Sequence, residues 1–133
     1  ISTALISENY AYIGGRSEEL DAYILKAYDM EGNHLLTFGE KGKDGDDWLA
    51  YVSQIMEIPE GFFGIDANMR DLYIWGPDAS VLGSVEAPDL FGARYAWIAG
   101  AAKQDDGSIL VALTQDRDDD SATELLLYRL SGF

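Results

Sequence analysis

Residues 28–39 read YDMEGNHLLTFG, and this stretch is the starting point for predicting the fold. Apolar and β-branched residues stand on either side of the turn residues 31–33, Glu-Gly-Asn, which is the pattern of two antiparallel strands joined by a tight turn. The same signal returns at residues 75–85 and, cut short, at residues 128–132. The recurrence predicts that the chain is built from repeated strand–turn–strand units.

The spacing of these units indicates the architecture. Tyr28, Trp75 and Tyr128 take the same place in the three stretches, 47 and then 53 residues apart. Behind them come the aligned turn residues Gly32, Ala79 and Gly132. A period of about 50 residues that holds four short strands is typical of a β-propeller blade. An ordinary β-sandwich would explain the number of strands but not the repeat.

The rest of the chain reads as strands. No window of a dozen residues keeps helical apolar spacing without a glycine or a turn cluster, whereas short β-branched and aromatic runs recur between turns. We therefore predict an all-β chain, a single β-propeller segment over residues 1–133 with about three antiparallel four-stranded blades, the last of them incomplete. The blade-like repeats are residues 1–39, 48–86 and 95–133.

Three local predictions follow from turn residues. The pair Gly14 and Gly15 is expected to end the second strand, and residues 87–89 to open a connecting loop. Residues 105–107, Asp-Asp-Gly, are the clearest hairpin signal, because glycine supplies the positive φ that a tight turn needs.

Residues 28–39, followed by Gly42 and by Gly-Asp-Asp-Trp at residues 45–48, resemble the NHL-type repeat. That repeat runs tyrosine–aspartate, glycine, leucine, phenylalanine–glycine and then a glycine-rich loop. The resemblance covers about residues 22–48 and is weaker in the second and third repeats. Where the family usually has Gly-Glu-Phe in the loop, this chain has Gly-Asp-Asp-Trp. The resemblance implies a six-bladed propeller of the NHL and TolB-like kind.

The family resemblance also bears on function and on completeness. Such propellers serve mostly as binding scaffolds, so the resemblance implies a non-catalytic binding module and transfers no catalytic residue. About three blades cannot close a ring. The interpretation therefore requires either the remainder of a longer propeller or a second copy of the chain.

Composition excludes some functions. A net charge of −15 would repel phosphate backbones and anionic lipid surfaces, which argues against nucleic acid as a partner. No apolar run approaches the roughly 18–20 residues that span a bilayer. Cysteine is absent, which excludes disulfides and thiolate chemistry. The chain opens at Ile1 without an initiator Met, so we expect a processed or trimmed product. Together with the resemblance, these features predict an extracytoplasmic bacterial protein, whether periplasmic, secreted or a lipoprotein.

Candidate ligand-binding residues lie in the loops that a propeller gathers on one face. Each predicted loop between a second and a third strand carries one arginine, and the loops between blades carry two large aromatic residues. These candidates are Arg16, Arg70, Arg117, Trp48 and Phe91. We expect a ring of arginines at the mouth of a central channel, with aromatic walls, that binds a protein, peptide or saccharide ligand. The alternative is a set of weak ion pairs on solvated loops.

Acidic loops offer a second kind of site. Two runs are dense in carboxylates, with Asp44, Asp46 and Asp47 in the first and Asp118 and Asp120 in the second. Calcium takes six to eight oxygen ligands, so either run is a candidate metal site, although neither has EF-hand spacing. Such a site would favour a different function, part of a propeller hydrolase or lyase with an acidic, calcium-dependent centre. The alternative is a pair of mutually repelling, solvated loops.

The single histidine, His34, makes zinc chemistry or a Ser-His-Asp triad a poor explanation of any site in this sequence. A turn or core histidine is the expected role.

Overall fold

The computed structural model describes residues 3–42, 45, 48–67, 71–91, 97–116 and 123–131. Within them the chain forms three antiparallel sheets in which strand order follows chain order. The first sheet holds β1 (Thr3–Ile6), β2 (Ala11–Ser17), β3 (Ala22–Tyr28) and β4 (His34–Phe38). The second sheet holds β5 (Val52–Ile58), β6 (Gly61–Asp66), β7 (Asp71–Trp75) and β8 (Val81–Glu86). The third sheet holds β9 (Trp97–Lys103), β10 (Ile109–Asp116) and β11 (Thr123–Leu130). The prediction of an all-β chain is confirmed.

One predicted strand end is wrong. β2 continues through Gly14 and Gly15 as far as Ser17, so Arg16 lies in a strand and not in a loop. The reason is a close approach between side chain and backbone, since a Cβ atom added at Gly14 would overlap the phenol oxygen of Tyr23 on the neighbouring strand. Glycine at this position makes room for a large ring rather than ending the strand.

A short helix replaces a predicted loop. Residues Ala87–Phe91 form α1, directly after β8. Pro88 lies in the first turn, where its missing N–H would have no intrahelical partner, and Asp89 lies there too, where a negative charge is favourable. A five-residue helix is too short to show helical periodicity, so the pattern of the sequence could not reveal it.

The three sheets stack, and the second sheet lies between the other two. One hydrophobic core joins the first and second sheets, with Phe38 in T-shaped contact with Phe62 and Trp75 at ring-centroid distances of 5.1 and 4.9 Å. A second core joins the second and third sheets around Phe63 and Val111. The middle sheet is therefore covered on both faces, which explains why its strand β6 is buried from Phe62 to Asp66.

The sheets come closest at their first strands, where β1 lies beside β5 and β5 lies beside β9. Glu57 of β5 contacts both neighbouring sheets at this edge. Its carboxylate accepts hydrogen bonds from Ser7 Oγ at 2.7 Å and Tyr12 Oη at 3.1 Å, and its carbonyl oxygen accepts one from Lys103 Nζ at 3.0 Å. This single residue thus links all three sheets.

Candidate functional site

A surface cavity of about 450 Å³ lies where the β2–β3 hairpin meets the segment that leads into β5. We call it the Trp48 cavity. Its lining residues are Arg16, Asp21, Ala22, Tyr23, Trp48, Leu49, Ala50 and Tyr51. The cavity therefore combines aromatic rings, one cation and one anion.

Asp66 holds the segment that forms one wall of the cavity. This buried residue ends β6, and its carboxylate accepts hydrogen bonds from the backbone N–H of Ala50 at 2.6 Å and of Tyr51 at 3.2 Å. The backbone N–H of Ala67 also donates to the carbonyl of Tyr51 at 3.0 Å. A charged acceptor makes such bonds stronger than neutral ones, so the wall is held in place before any ligand arrives.

Trp48 is fixed by its backbone while its ring faces solvent. Its carbonyl accepts a hydrogen bond from Tyr73 Oη at 3.1 Å, and the next residue, Leu49, forms an isolated antiparallel bridge with Tyr23. Leu49 is buried, whereas Trp48 remains 40% exposed. An exposed indole on a fixed backbone is a ready contact surface for an apolar ligand face.

Two tyrosine residues, Tyr23 and Tyr51, also line the cavity. The rings of Tyr23 and Tyr51 lie 6.2 Å apart between centroids. Tyr23 Oη donates a hydrogen bond to Thr3 Oγ1 at 3.0 Å, and burial of this phenol raises its pKa. Tyr23 is therefore a neutral, hydrogen-bonded part of the cavity and not a proton donor to a ligand.

The charged side chains of the cavity form an ion pair. The guanidinium of Arg16 contacts the carboxylate of Asp21, and both side chains are largely exposed. Asp21 has a positive φ of 49°, in the hairpin between β2 and β3. Because an exposed ion pair is worth at most about 1 kcal/mol, a ligand with its own charge or hydroxyl groups can compete for either partner.

The structure brings two predicted ligand-binding residues together, because Arg16 and Trp48 line the same cavity. Phe91 ends α1, and its side chain is outside the described residues. Arg70 and Arg117 also lie outside them, as do the predicted calcium ligands Asp44, Asp46, Asp47, Asp118 and Asp120. The arginine ring and the calcium sites therefore stay predictions.

The described ranges hold no group of three or more His, Asp or Glu side chains arranged to bind a metal. His34 is exposed at the start of β4, and its Nε2 lies 3.0 Å from both Leu36 O and Thr37 Oγ1. His34 is therefore not a core residue. Of the two predicted roles, a core histidine or a turn histidine, only a position next to the turn fits the structure.

A row of carboxylates crosses the second sheet close to the Trp48 cavity. Asp66, Asp71 and Glu86 are neighbours on β6, β7 and β8. Burial, together with the negative charges of Glu86 and Asp66, raises the pKa of Asp71 to about 6, against a lowering hydrogen bond from Tyr73. One oxygen of Asp71 is buried without a hydrogen-bond partner. Sequence reasoning missed this row, because its members are adjacent only through strand pairing.

Sequence reasoning also missed Asp21, Tyr23 and Tyr51 as cavity residues. One signal could have found Tyr23. Once β2 is extended past Gly15, the hairpin register places Arg16 opposite Tyr23. No local pattern marks Tyr51, whose place depends on Asp66 fifteen residues later.

The chain matches no model of a known protein family, and no curated protein matches it either. Among the described residues, no helix has the length and apolar character needed to cross a membrane.

Proposed function

We propose that this chain is a non-catalytic binding module that holds a protein, peptide or saccharide ligand at the Trp48 cavity. One observation carries the proposal, namely that the exposed indole of Trp48 and the guanidinium of Arg16 line one cavity of about 450 Å³. That volume lies within the usual range for ligand pockets, which are mostly apolar with a few convergent polar groups.

The chemistry of the cavity suits recognition. The faces of Trp48 and Tyr51 can stack against a flat apolar surface, such as the face of a sugar ring or an aromatic or proline side chain. Arg16 and Asp21 can bind hydroxyl, carboxylate or amide groups at the cavity edge. The negative charge of Asp21 is neutralised by Arg16, an arrangement that favours binding over proton transfer.

The proposed architecture is a segment of a six-bladed, NHL-type propeller. Two features support it: the sheets are consecutive antiparallel meanders, and neighbouring sheets approach most closely at their first strands. Strands that converge at one edge are expected where blades surround a central axis. An extracytoplasmic location is part of the same proposal and depends on the acidity of the chain, its lack of cysteine and the resemblance.

A second candidate function is part of a propeller hydrolase or lyase with an acidic centre. The observation that favours it is the raised pKa of Asp71 beside Asp66 and Glu86, since such shifts are frequent in active sites. Structural carboxylate clusters produce the same shift, so the binding module remains the first proposal.

Ligand titrations followed by ¹H–¹⁵N NMR test the proposal. The probes are cellohexaose, chitohexaose and short peptides containing Trp or Pro with an acidic end. We expect at least one class to shift the indole N–H of Trp48 and the amides of Asp21 and Tyr51. Trp48→Ala and Arg16→Ala should each weaken that binding about tenfold, or about 1.4 kcal/mol.

Arg129→Ala is the matched control. Arg129 also forms an exposed ion pair with an aspartate, Asp106, at 3.3 Å, but it is not part of the Trp48 cavity. The affinity of this variant should equal that of the native chain. Binding that shifts residues elsewhere, or that survives Trp48→Ala unchanged, would contradict the proposed site.

A further inference from the structure

The middle sheet has two faces with different partners. On β7, Tyr73 and Trp75 face the core shared with the first sheet, and we call this side the front face. Leu72 and Ile74 face the core shared with the third sheet, and we call this side the back face. The alternation of side chains along a strand assigns every residue of a sheet to one of these faces.

The three sheets stack so that front and back faces alternate in the same order throughout. Trp75 aligns with Tyr128 of β11, and Tyr128 together with Leu126 packs on the middle sheet, so the third sheet uses its front face there. In the first sheet, Leu25 and Ala27 of β3 pack on the middle sheet and belong to its back face. Both contacts between sheets therefore join the back of one sheet to the front of the next.

Among the described residues, no sheet covers the back face of the third sheet. Its β11 leucines, Leu125 and Leu127, are 67% and 68% exposed. The aligned back-face residues of the first sheet, Leu25 and Ala27, are 0% exposed, and Leu72 of the middle sheet is only 3% exposed. Leucines are thus present at the places where the other two sheets bury their back faces against a neighbour.

The front face of the first sheet likewise has no sheet packed on it in the part of the chain that the structure describes. Ile13 on β2 is 38% exposed and Ile6 on β1 is 82% exposed. The residue of the third sheet that aligns with Ile13 is Leu113, which is fully buried against the middle sheet. The alignment follows from strand register, since Ile13 lies opposite Lys26 as Leu113 lies opposite Leu126.

We propose that two copies of this chain associate through these faces, each first-sheet front face packing on the third-sheet back face of the other copy. A second copy fits because a single chain carries one uncovered face of each kind. The front-to-back contact needed is the one that the chain already forms twice within itself. Two such contacts are related by a two-fold axis and close the assembly, so no apolar sheet face is left exposed to further association.

This inference goes beyond ligand binding at the Trp48 cavity and can fail separately from it. The first measurement is the molar mass of the native chain by light scattering during size-exclusion chromatography. We expect a species of two chains, each of 14.6 kDa. A monodisperse monomer at about 100 μM would overturn the proposal, since protein contacts with only micromolar affinity would be largely formed at that concentration.

Charged variants test which faces meet. Ile13→Glu changes the front face, and Leu127→Glu changes the back face. Leu82→Glu is the matched control, because Leu82 is also 60% exposed but belongs to the middle sheet, whose two faces are already covered. We expect monomers from the first two variants and a dimer from the control.

Mixing the two monomeric variants gives the sharpest result. A mixed pair keeps one contact between a native front and a native back, so a dimer should reappear, though at higher concentration than the native chain requires. If the fronts met each other, Leu127→Glu alone would remain dimeric. If the backs met each other, Ile13→Glu alone would remain dimeric. Either result would overturn the front-to-back arrangement.

Cross-linking provides a second measurement that does not depend on charged variants. Because the chain has no cysteine, Ile13→Cys with Leu127→Cys introduces two unique thiols. A short bis-maleimide should join residue 13 of one copy to residue 127 of another, which peptide mass spectrometry identifies. Absence of this product, with each thiol shown to react, would contradict the proposal.

Discussion

Asp71 is a carboxylate in an electrostatically unfavourable environment. It is partly buried between two other acids, Asp66 and Glu86, and one of its oxygens has no hydrogen-bond partner. Removing a carboxylate from water and placing it beside like charges disfavours the ionised form. The raised pKa of Asp71, about 6, therefore means that its negative charge destabilises the folded state.

The raised pKa of Asp71 makes stability depend on pH in a definite direction. Because the folded-state pKa lies above the ordinary value near 4, the folded chain holds this proton more tightly than the unfolded chain, and stability falls as pH rises from about 4 to about 6. Asp71→Asn, which stays neutral, should increase the free energy of unfolding at pH 7 by about 1 kcal/mol. This figure is reduced from the full linkage value because the side chain is partly exposed and solvent-screened.

Urea unfolding at pH 4 and pH 7 measures this effect. Asp105→Asn, at an exposed turn position, serves as the control and should change stability little at either pH. Loss of stability in Asp71→Asn at pH 7 would contradict this prediction, because it would show that the folded state needs the charge of Asp71. That result would strengthen the hydrolase or lyase alternative only if activity were also lost.

The hairpin turns show how local sequence determines where one strand ends and the next begins. Three turns share one pattern, a four-residue turn whose last residue has a positive φ: Gly32 at 90°, Ala79 at 67° and Gly107 at 86°. In two of them an aspartate accepts hydrogen bonds from the serine two residues later, as Asp78 does from Ser80 N at 3.1 Å and Oγ at 2.6 Å. The turns therefore depend on residue type at two positions, and sequence could predict them.

Alanine at two of these glycines should cost stability through backbone conformation alone. Gly32 and Gly107 both have positive φ, and an added Cβ would meet no atom within 4 Å at either site. We expect Gly32→Ala and Gly107→Ala each to lower the free energy of unfolding by about 1 kcal/mol, since the left-handed region is unfavourable for residues with a Cβ atom.

Gly83→Ala is the matched control for these turn variants. A Cβ atom added at Gly83 would likewise meet nothing within 4 Å, but Gly83 lies within β8 and has no positive φ. Denaturant unfolding should show little change, or a small gain, for Gly83→Ala. Equal losses in all three variants would mean that the turns impose no special backbone requirement.

The net charge of −15 acts on the whole molecule. Like charges repel one another more strongly in the compact state than in the unfolded chain, and salt screens that repulsion. We therefore expect the Tm to rise by a few degrees when NaCl is increased from about 10 mM to about 500 mM at pH 8, as measured by differential scanning fluorimetry.

Comparing calcium with magnesium distinguishes screening of the net charge from specific calcium binding. If the acidic loops bind no calcium, about 1 mM CaCl₂ in 150 mM NaCl should change the Tm no more than the same concentration of MgCl₂. A larger rise with calcium that a chelator reverses would instead support a calcium site among the predicted aspartates, and with it the hydrolase or lyase alternative.

The all-β character, the division into four, four and three strands, and the positions of the turns could be predicted from sequence, because alternation, turn chemistry and spacing are local properties. The tertiary structure alone decided that Arg16 and Trp48 share a cavity, since they lie 32 residues apart in the chain and meet through packing. It also decided the environment of Asp71, which depends on strand register, and the role of Gly14, which depends on the ring of Tyr23. Local patterns specify elements, whereas burial, charge and close contact arise only when distant segments pack against one another.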